Sequence, residues 1–209
     1  MAEPMAPEAH LSLSSLLLVL ADRSQGSVSV AQIVDHFGPR AFGAVLFVFA
    51  IPNLAPLPPG GTTVLGLPLL ILAPQLAFGS KRPWIPKALG RLSIDGPLLA
   101  GVCRRAVPWV ARGERLTTHR LGFMFGLVGD AGIGVVCSLL AAVLILPIPL
   151  GNILPTVAIA ILAFSLVQRD GLLAIAGYAL ALASLGLLVL SGALVVEAVA
   201  RLGAITGLW

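Results

Sequence analysis

The sequence predicts an all-α integral membrane protein, and three observations carry that prediction. Of its 209 residues 58% are apolar and 11% charged, with a mean hydropathy of +1.02. That leaves too little polar surface to cover a water-soluble globule. Three segments, 41–80, 131–168 and 171–196, contain no charged residue at all, as helices inside a bilayer require. None of them alternates apolar and polar residues as the strands of a membrane barrel do. The whole chain, 1–209, reads as a single membrane domain.

From the N-terminus, "LSLSSLLLVLA" (11–21) has the length of a signal-peptide core. Only Glu3 and Glu8 precede it, and Asp22 and Arg23 close it, so it reads as an interfacial or cytoplasmic helix. "SVSVAQIVDHFG" (27–38) follows as a short amphipathic helix. Ser27 or Ser29 is its cap, and Val30, Ile33, Val34 and Phe37 line one face.

Two proline-rich loops then interrupt apolar sequence: "IPNLAPLPPGGTT" (51–63) and "LPIPLGNILPT" (146–156). A shift of 91 residues aligns them without a gap, placing Pro56, Pro58 and Gly60 on Pro147, Pro149 and Gly151, and Gly38 and Gly43 on Gly129 and Gly134. Apolar sequences match easily, so the Pro-x-Pro-x-Gly coincidence carries the expectation of two tandem repeats, about 11–101 and 102–192. Each repeat holds a lead-in helix, an apolar helix, the loop and a second apolar helix.

Segments 41–51 and 156–167 make only about 16 and 18 Å of helix, against a bilayer core of about 30 Å. Their partners, 62–78 and 131–146, reach about 24–25 Å. Each loop is therefore expected inside the membrane, at the tip of a re-entrant or short hairpin, where irregular backbone survives only within protein or along a watery cavity. The alternative is a tight external turn, against which the scarcity of charge argues.

Nine of the 13 basic residues fall between Lys81 and Arg120, opposed only by Asp95 and Glu114. Basic residues gather on the cytoplasmic side, so segment 81–120 is expected there, against anionic lipid headgroups. Without aromatic residues interleaved, the net charge of +4 does not suggest nucleic acid. Asp95, Arg104 and Arg105 interrupt "LSIDGPLLAGVCRRAVPWVA" (92–111), which is expected along the interface. Both hairpins then enter from the same side, unlike the inverted repeats of many transporters. Segment 172–196 is long enough to span. Its small residues, Gly177 with Ala181 and Ala179 with Ala183, offer a close helix contact and a route to a homo-oligomer.

No catalytic constellation is present. His10, His36 and His119 lack metal-ligand spacing, Asp35–His36 reads as a solvated helix end, and Cys103 and Cys137 form no disulfide framework; no cofactor is expected. Polar groups in or beside apolar sequence are the candidates instead. Asn53, Thr62, Thr63 and Asn152 occupy the loops, and Gln75 follows the first. Helices that open after these loops aim free N–H groups and the positive end of the helix dipole at an anion such as a phosphate. Arg40 and Arg169 flank the hairpins, as headgroup-level anchors or as contacts to a lipid phosphate. Asp130 is either an N-cap at the interface or a proton-coupling carboxylate.

"FGPRAFGAVLFVFAIPNLAPLPPGGTTVLGLPLLILAPQLAFGSKRPWIP" and "LPIPLGNILPTVAIAILAFSLVQRDG" resemble the ExoD family of bacterial exopolysaccharide-synthesis membrane proteins. The proline loop, "RPW", "PIPLGN" and Arg169-Asp170-Gly171 carry the likeness, which covers roughly 11–190. The family pattern has Glu before that Arg-Asp-Gly, where this chain has Gln168. The resemblance implies a multi-pass inner-membrane protein needed for exopolysaccharide production and implies no catalytic residue. Polysaccharides of this kind are assembled on lipid carriers, so the first expectation is a site for polyprenyl phosphate or a lipid-linked anionic headgroup. A small-ion or proton transporter and a non-catalytic scaffold are the alternatives. A reporter fused after Arg112 is expected to read as cytoplasmic; a periplasmic signal would restore an inverted repeat.

Overall fold

A computed structural model describes residues 13–23, 26–29, 31–32, 41–54, 61–80, 83–91, 93–117, 124–145 and 152–206. Arg40, the three histidines and the Pro-x-Pro-x-Gly cores of both loops lie outside the described residues. In chain order the elements are α1 (Leu13–Arg23), β1 (Ser27–Ser29), α2 (Ala41–Ala50) running into a 3-10 turn (Ile51–Leu54), α3 (Gly61–Ala77), α4 (Lys87–Gly90), β2 (Ser93–Asp95), α5 (Gly96–Leu116), α6 (Leu127–Ile145), α7 (Ile153–Gln168) and α8 (Gly171–Thr206).

Glycines set how the central helices meet. A Cβ on Gly134 of α6 would strike the backbone of Leu76 and Ala77 at the end of α3, while one on Gly66 near the start of α3 would face Leu144 and Ile145 at the end of α6. The two helices are therefore antiparallel and nearly touch at one end. Gly43 in α2 makes the matching contact with α7, where a Cβ would lie 2.8 Å from Val167 and 2.9 Å from the Ala163 carbonyl. The turn after α2 packs on α7 as well, so α2 and α7 are also antiparallel. Gly43 and Gly134 are the pair that a shift of 91 residues superimposes. Each meets the end of the second helix of the opposite half.

The hairpin contacts α2–α3 and α6–α7 close the ring of four, and α8 covers α7. This arrangement brings the C-terminal ends of α2 and α6 and the N-terminal ends of α3 and α7 to one end of the bundle, the loop end. Helix α2 lies innermost, with every residue from Phe42 to Ala50 buried, as expected for a helix apolar all round. The outer helices differ. Leu127, Val128, Val135 and Leu139 of α6 and Leu172, Ile175, Leu182 and Leu187 of α8 are exposed. Among the described residues, Leu127–Ile145 and Gly171–Ala193 are long and apolar enough to cross a membrane.

Helix α1 lies antiparallel along α5, tied by Ser14 to Glu114 at one end and by the Arg104–Asp22 ion pair, 3.1 Å, at the other. Leu99, Cys103, Ala106 and Val110 of α5 are buried at helical spacing, while Arg104, Arg105, Trp109 and Arg112 face outward. The Arg112 guanidinium stacks 5.5 Å from the Trp109 ring centre. Asp95 caps this helix by accepting from the Leu98 N–H, and Pro97 fits its first turn, where no N–H is needed.

Several expectations are corrected. The chain is not wholly α: Ser27–Ser29 pairs antiparallel with Ser93–Asp95, Val28 opposite Ile94, so segment 92–111 is a strand and then a helix. Ser27 is in that strand. Ser29 does cap, since its hydroxyl accepts from the Gln32 N–H and the Gln32 side chain accepts from the Ser29 N–H, a reciprocal capping box. Helix α7 begins at Ile153, before Pro155, because a proline in the first turn loses no helical hydrogen bond. Helix α6 begins at Leu127, which puts Asp130 inside its first turn. The helices thus reach about 28 Å for α6 and 24 Å for α7 at 1.5 Å per residue. Gly177 packs on Leu162 of α7 and Ala181 is buried, so the chain itself occupies that small-residue face. Ala179 and Ala183 stay exposed.

Gly134→Ala is expected to lower the temperature at which the detergent-solubilised protein loses its folded, monodisperse form, because the obstruction is backbone. Gly186→Ala, whose Cβ would meet nothing within 4 Å, should leave it unchanged or raise it slightly.

Candidate functional site at the loop end

Two asparagines stand at the loop end and do the same work. Asn53, 4% exposed in the 3-10 turn, donates its amide N–H to the Phe49 carbonyl, 2.8 Å away. Asn152 donates to the Leu144 carbonyl at 3.3 Å. Phe49 and Leu144 each sit one residue from the end of α2 and α6, where carbonyls lose their helical partners. Each asparagine therefore satisfies the helix that enters its loop. In both, the amide oxygen Oδ1 is buried and has no hydrogen-bond partner.

The Asn152 oxygen is unpartnered for a definable reason. Asn152 occupies the N-cap position of α7 but makes no capping bond. A cap oxygen normally accepts from the second or third helical N–H, and the third residue here is Pro155, which has none. The Thr156 hydroxyl instead donates to the Asn152 carbonyl, 2.6 Å away. Thr62 and Thr63 lie in the first turn of α3. The opening N–H groups of α3 and α7 lack helical partners, and they stand beside the carbonyl ends of α2 and α6.

The expected site residues thus separate into two groups. Asn53, Thr62, Thr63 and Asn152 belong to the loop end, whereas Gln75, Asp130 and Arg169 are at the opposite end of the bundle. Fifteen residues of α6 separate Asp130 from Ile145, about 22 Å of helix. The expected role of the asparagines as donors to an anion also changes. One N–H of each amide is taken by a carbonyl, and each amide leaves its acceptor oxygen without a partner.

At the opposite end the polar groups mostly hold the fold. Gln75 donates to the Trp84 carbonyl and accepts from the Trp84 N–H, both at 2.7 Å, and also donates to the Ile71 carbonyl. It fastens the "PW" segment to α3. Arg169 takes the left-handed conformation, φ 51°, as the C-cap of α7. Asp170 then accepts from the Leu172 N–H, 2.9 Å away, at the start of α8. The Arg-Asp-Gly motif is a reversal with no linker beyond these two caps. The Arg169 charge acts on Asp130, and the Tyr178 hydroxyl lies against Gly132 one α6 residue beyond Ala131.

Glu114 is a residue the sequence reading undervalued, having counted it only as a counter-charge in the basic segment. Its carboxylate accepts from the Ser14 N–H and hydroxyl, at 3.1 and 2.6 Å, and from Gln168 at 3.2 Å. It joins α1, α5 and α7, and sets a negative charge at the positive end of α1. An acid four residues after a buried apolar position of an amphipathic helix was the available signal. Burial pushes the Cys103 thiol up to about 11, which keeps it unreactive. Among the described residues no three His, Cys, Asp or Glu side chains gather as a metal site would require.

The family described as "Exopolysaccharide synthesis, ExoD" matches residues 13–190. The chain is 27% identical to Protein ExoD of Rhizobium meliloti over 177 residues, covering 82% of this chain and 73% of that protein. It is 29% identical over 153 residues to the uncharacterized Synechocystis protein slr1875, covering 72% of each. No solved structure matches it.

Gln75→Leu is expected to release residues 83–86 to limited proteolysis while leaving polysaccharide output close to wild type. Loss of output with unchanged protease resistance would instead make Gln75 a ligand contact.

Proposed function

The chain belongs to the ExoD family of exopolysaccharide synthesis, and from that premise we propose that it binds a polyprenyl-phosphate or lipid-linked anionic headgroup at the loop end. One observation carries this reading: the N-terminal ends of α3 and α7 open there, beside the buried Asn53 and the half-buried Asn152 and with no charged side chain in either helix. Unpaired N–H groups shielded from water favour an anion. The loops supply no carboxylate to hold a cation.

The protein is, on this reading, a multi-pass protein of the bacterial inner membrane, with α6 and α8 as its full spans. The exchanged contacts of Gly43 and Gly134 support a duplicated hairpin whose two loops open to the same side. The basic outer face of α5 would meet anionic headgroups on the cytoplasmic side. Arg169, at the far end, would anchor the bundle at headgroup level rather than touch the same ligand. A second reading rests on Asp130, a carboxylate in an apolar helix beside Arg169 and Tyr178, as the coupling group of a proton or cation transporter.

Thr62→Val and Thr63→Asp separate the two readings. A carboxylate in the first turn of α3 suits the helix dipole yet repels an anionic ligand. Both variants should reach the membrane at wild-type abundance and lower polysaccharide yield, Thr63→Asp the more severely, while Asp130→Asn keeps most of it. Normal yield from both threonine variants, with loss in Asp130→Asn, would move the protein to the second reading.

A further inference from the structure

The two free oxygens specify a part of the ligand that the helix N-termini do not. A buried acceptor without a partner is unfavourable, and here there are two, on equivalent side chains at one end of the bundle. Asn53 is 4% exposed, and its turn packs against both α3 and α7. The turn that carries this oxygen thus lies on both of the helices that open at the loop end. Each amide gives one of its two N–H groups to a carbonyl, and that bond orients its oxygen away from the carbonyl.

Such oxygens accept from O–H or N–H groups and offer little to a phosphate, which is mostly ionised and acceptor-rich at neutral pH. A metal cation would also suit them. However, no carboxylate lies in either loop sequence to hold one. A neutral hydroxyl next to an anion answers both features at once.

We infer that the Oδ1 atoms of Asn53 and Asn152 accept hydrogen bonds from hydroxyl groups of a sugar attached to the phosphate, so that the preferred ligand is a glycosylated polyprenyl phosphate over the bare carrier. This rests on the headgroup reading above and assigns the site to the loaded carrier. The phosphate is met by the opening N–H groups of α3 and α7, and the sugar by the two asparagine oxygens. Pro155 removes one of the two N–H groups to which a cap oxygen at Asn152 could bond.

The test compares two probes on purified protein in nanodiscs: a polyprenyl phosphate, and the same lipid carrying one hexose in phosphodiester linkage. Wild type is expected to bind the hexosyl lipid roughly tenfold or more tighter, about what one or two good hydrogen bonds give. Asn53→Leu and Asn152→Leu should each remove most of that preference, read as the ratio of the two affinities in one preparation, with folding reported by monodisperse elution. If a leucine variant loses both ligands, serine takes its place. A serine hydroxyl can return to a carbonyl four residues back, as Asn53 does to Phe49, without presenting an amide oxygen. Equal affinity of wild type for the two lipids would overturn the inference and leave the headgroup reading standing. Failure to bind either lipid would overturn both. Stabilisation of wild type by Na⁺ alone, abolished in Asn53→Leu, would assign the oxygens to a cation and overturn the sugar.

Discussion

Close helix contact around α2 is the constraint on which the remaining structure depends. Lipid tails are as apolar as leucine, so no solvent drives one apolar helix against another within a bilayer. What holds them is van der Waals contact, and contact needs small residues. Gly43 lets α2 lie on the end of α7, and Gly134 lets α6 lie on the end of α3. With its neighbours this near, α2 has no face left for lipid. It is too short to cross a bilayer alone, so its last carbonyls emerge inside protein and need donors. Asn53 answers that need at Phe49, and Asn152 repeats the solution for α6. The buried oxygens follow from the packing.

The same constraint divides the polar residues. At the loop end, helix termini and amides supply neutral dipoles, and no charged side chain lies in α2, α3 or α7. At the opposite end, charge is abundant and mostly structural. Glu114 ties three helices together, Asp170 caps α8, and Arg169 turns the chain. On the reading proposed above, a ligand entering the loop end meets directional hydrogen bonds rather than strong fields. Selection there works through shape and donor–acceptor matching.

Much of the helical frame was legible in the sequence, because charge and proline mark helix ends in so apolar a chain. Helix α3 was expected over 62–78 and runs Gly61–Ala77, and the start of α8 was placed within one residue. Proline misled in one place, since Pro155 reads as a boundary yet is harmless in a first turn. The ribbon of β1 and β2 was hidden because its strands are three residues each and far apart in the chain. The site was legible in its residue types and not in its polarity. Whether an asparagine offers N–H or oxygen depends on which carbonyl lies beside it, and for Asn53 and Asn152 that was set by where α2 and α6 stop. The bonds of Gln75 were hidden for a similar reason, since its partners at Trp84 are brought back by a turn no local pattern announces.

The crossed contacts of the two halves bear on how the protein is made. The residues of α7 that receive Gly43 lie about 120 residues further along the chain. At a synthesis rate of about 5–20 residues per second, they leave the ribosome some 6–24 s after α2 does. During that interval α2 has α3 beside it and cannot yet rest on α7, and the Asn53 turn has no finished surface to pack on. The nascent first half must therefore be sheltered, by the insertion machinery or by lipid, until the second half arrives. Ribosome stalling or truncation before residue 163 leaves a membrane hairpin with an unmatched groove, the kind of intermediate that quality-control proteases recognise.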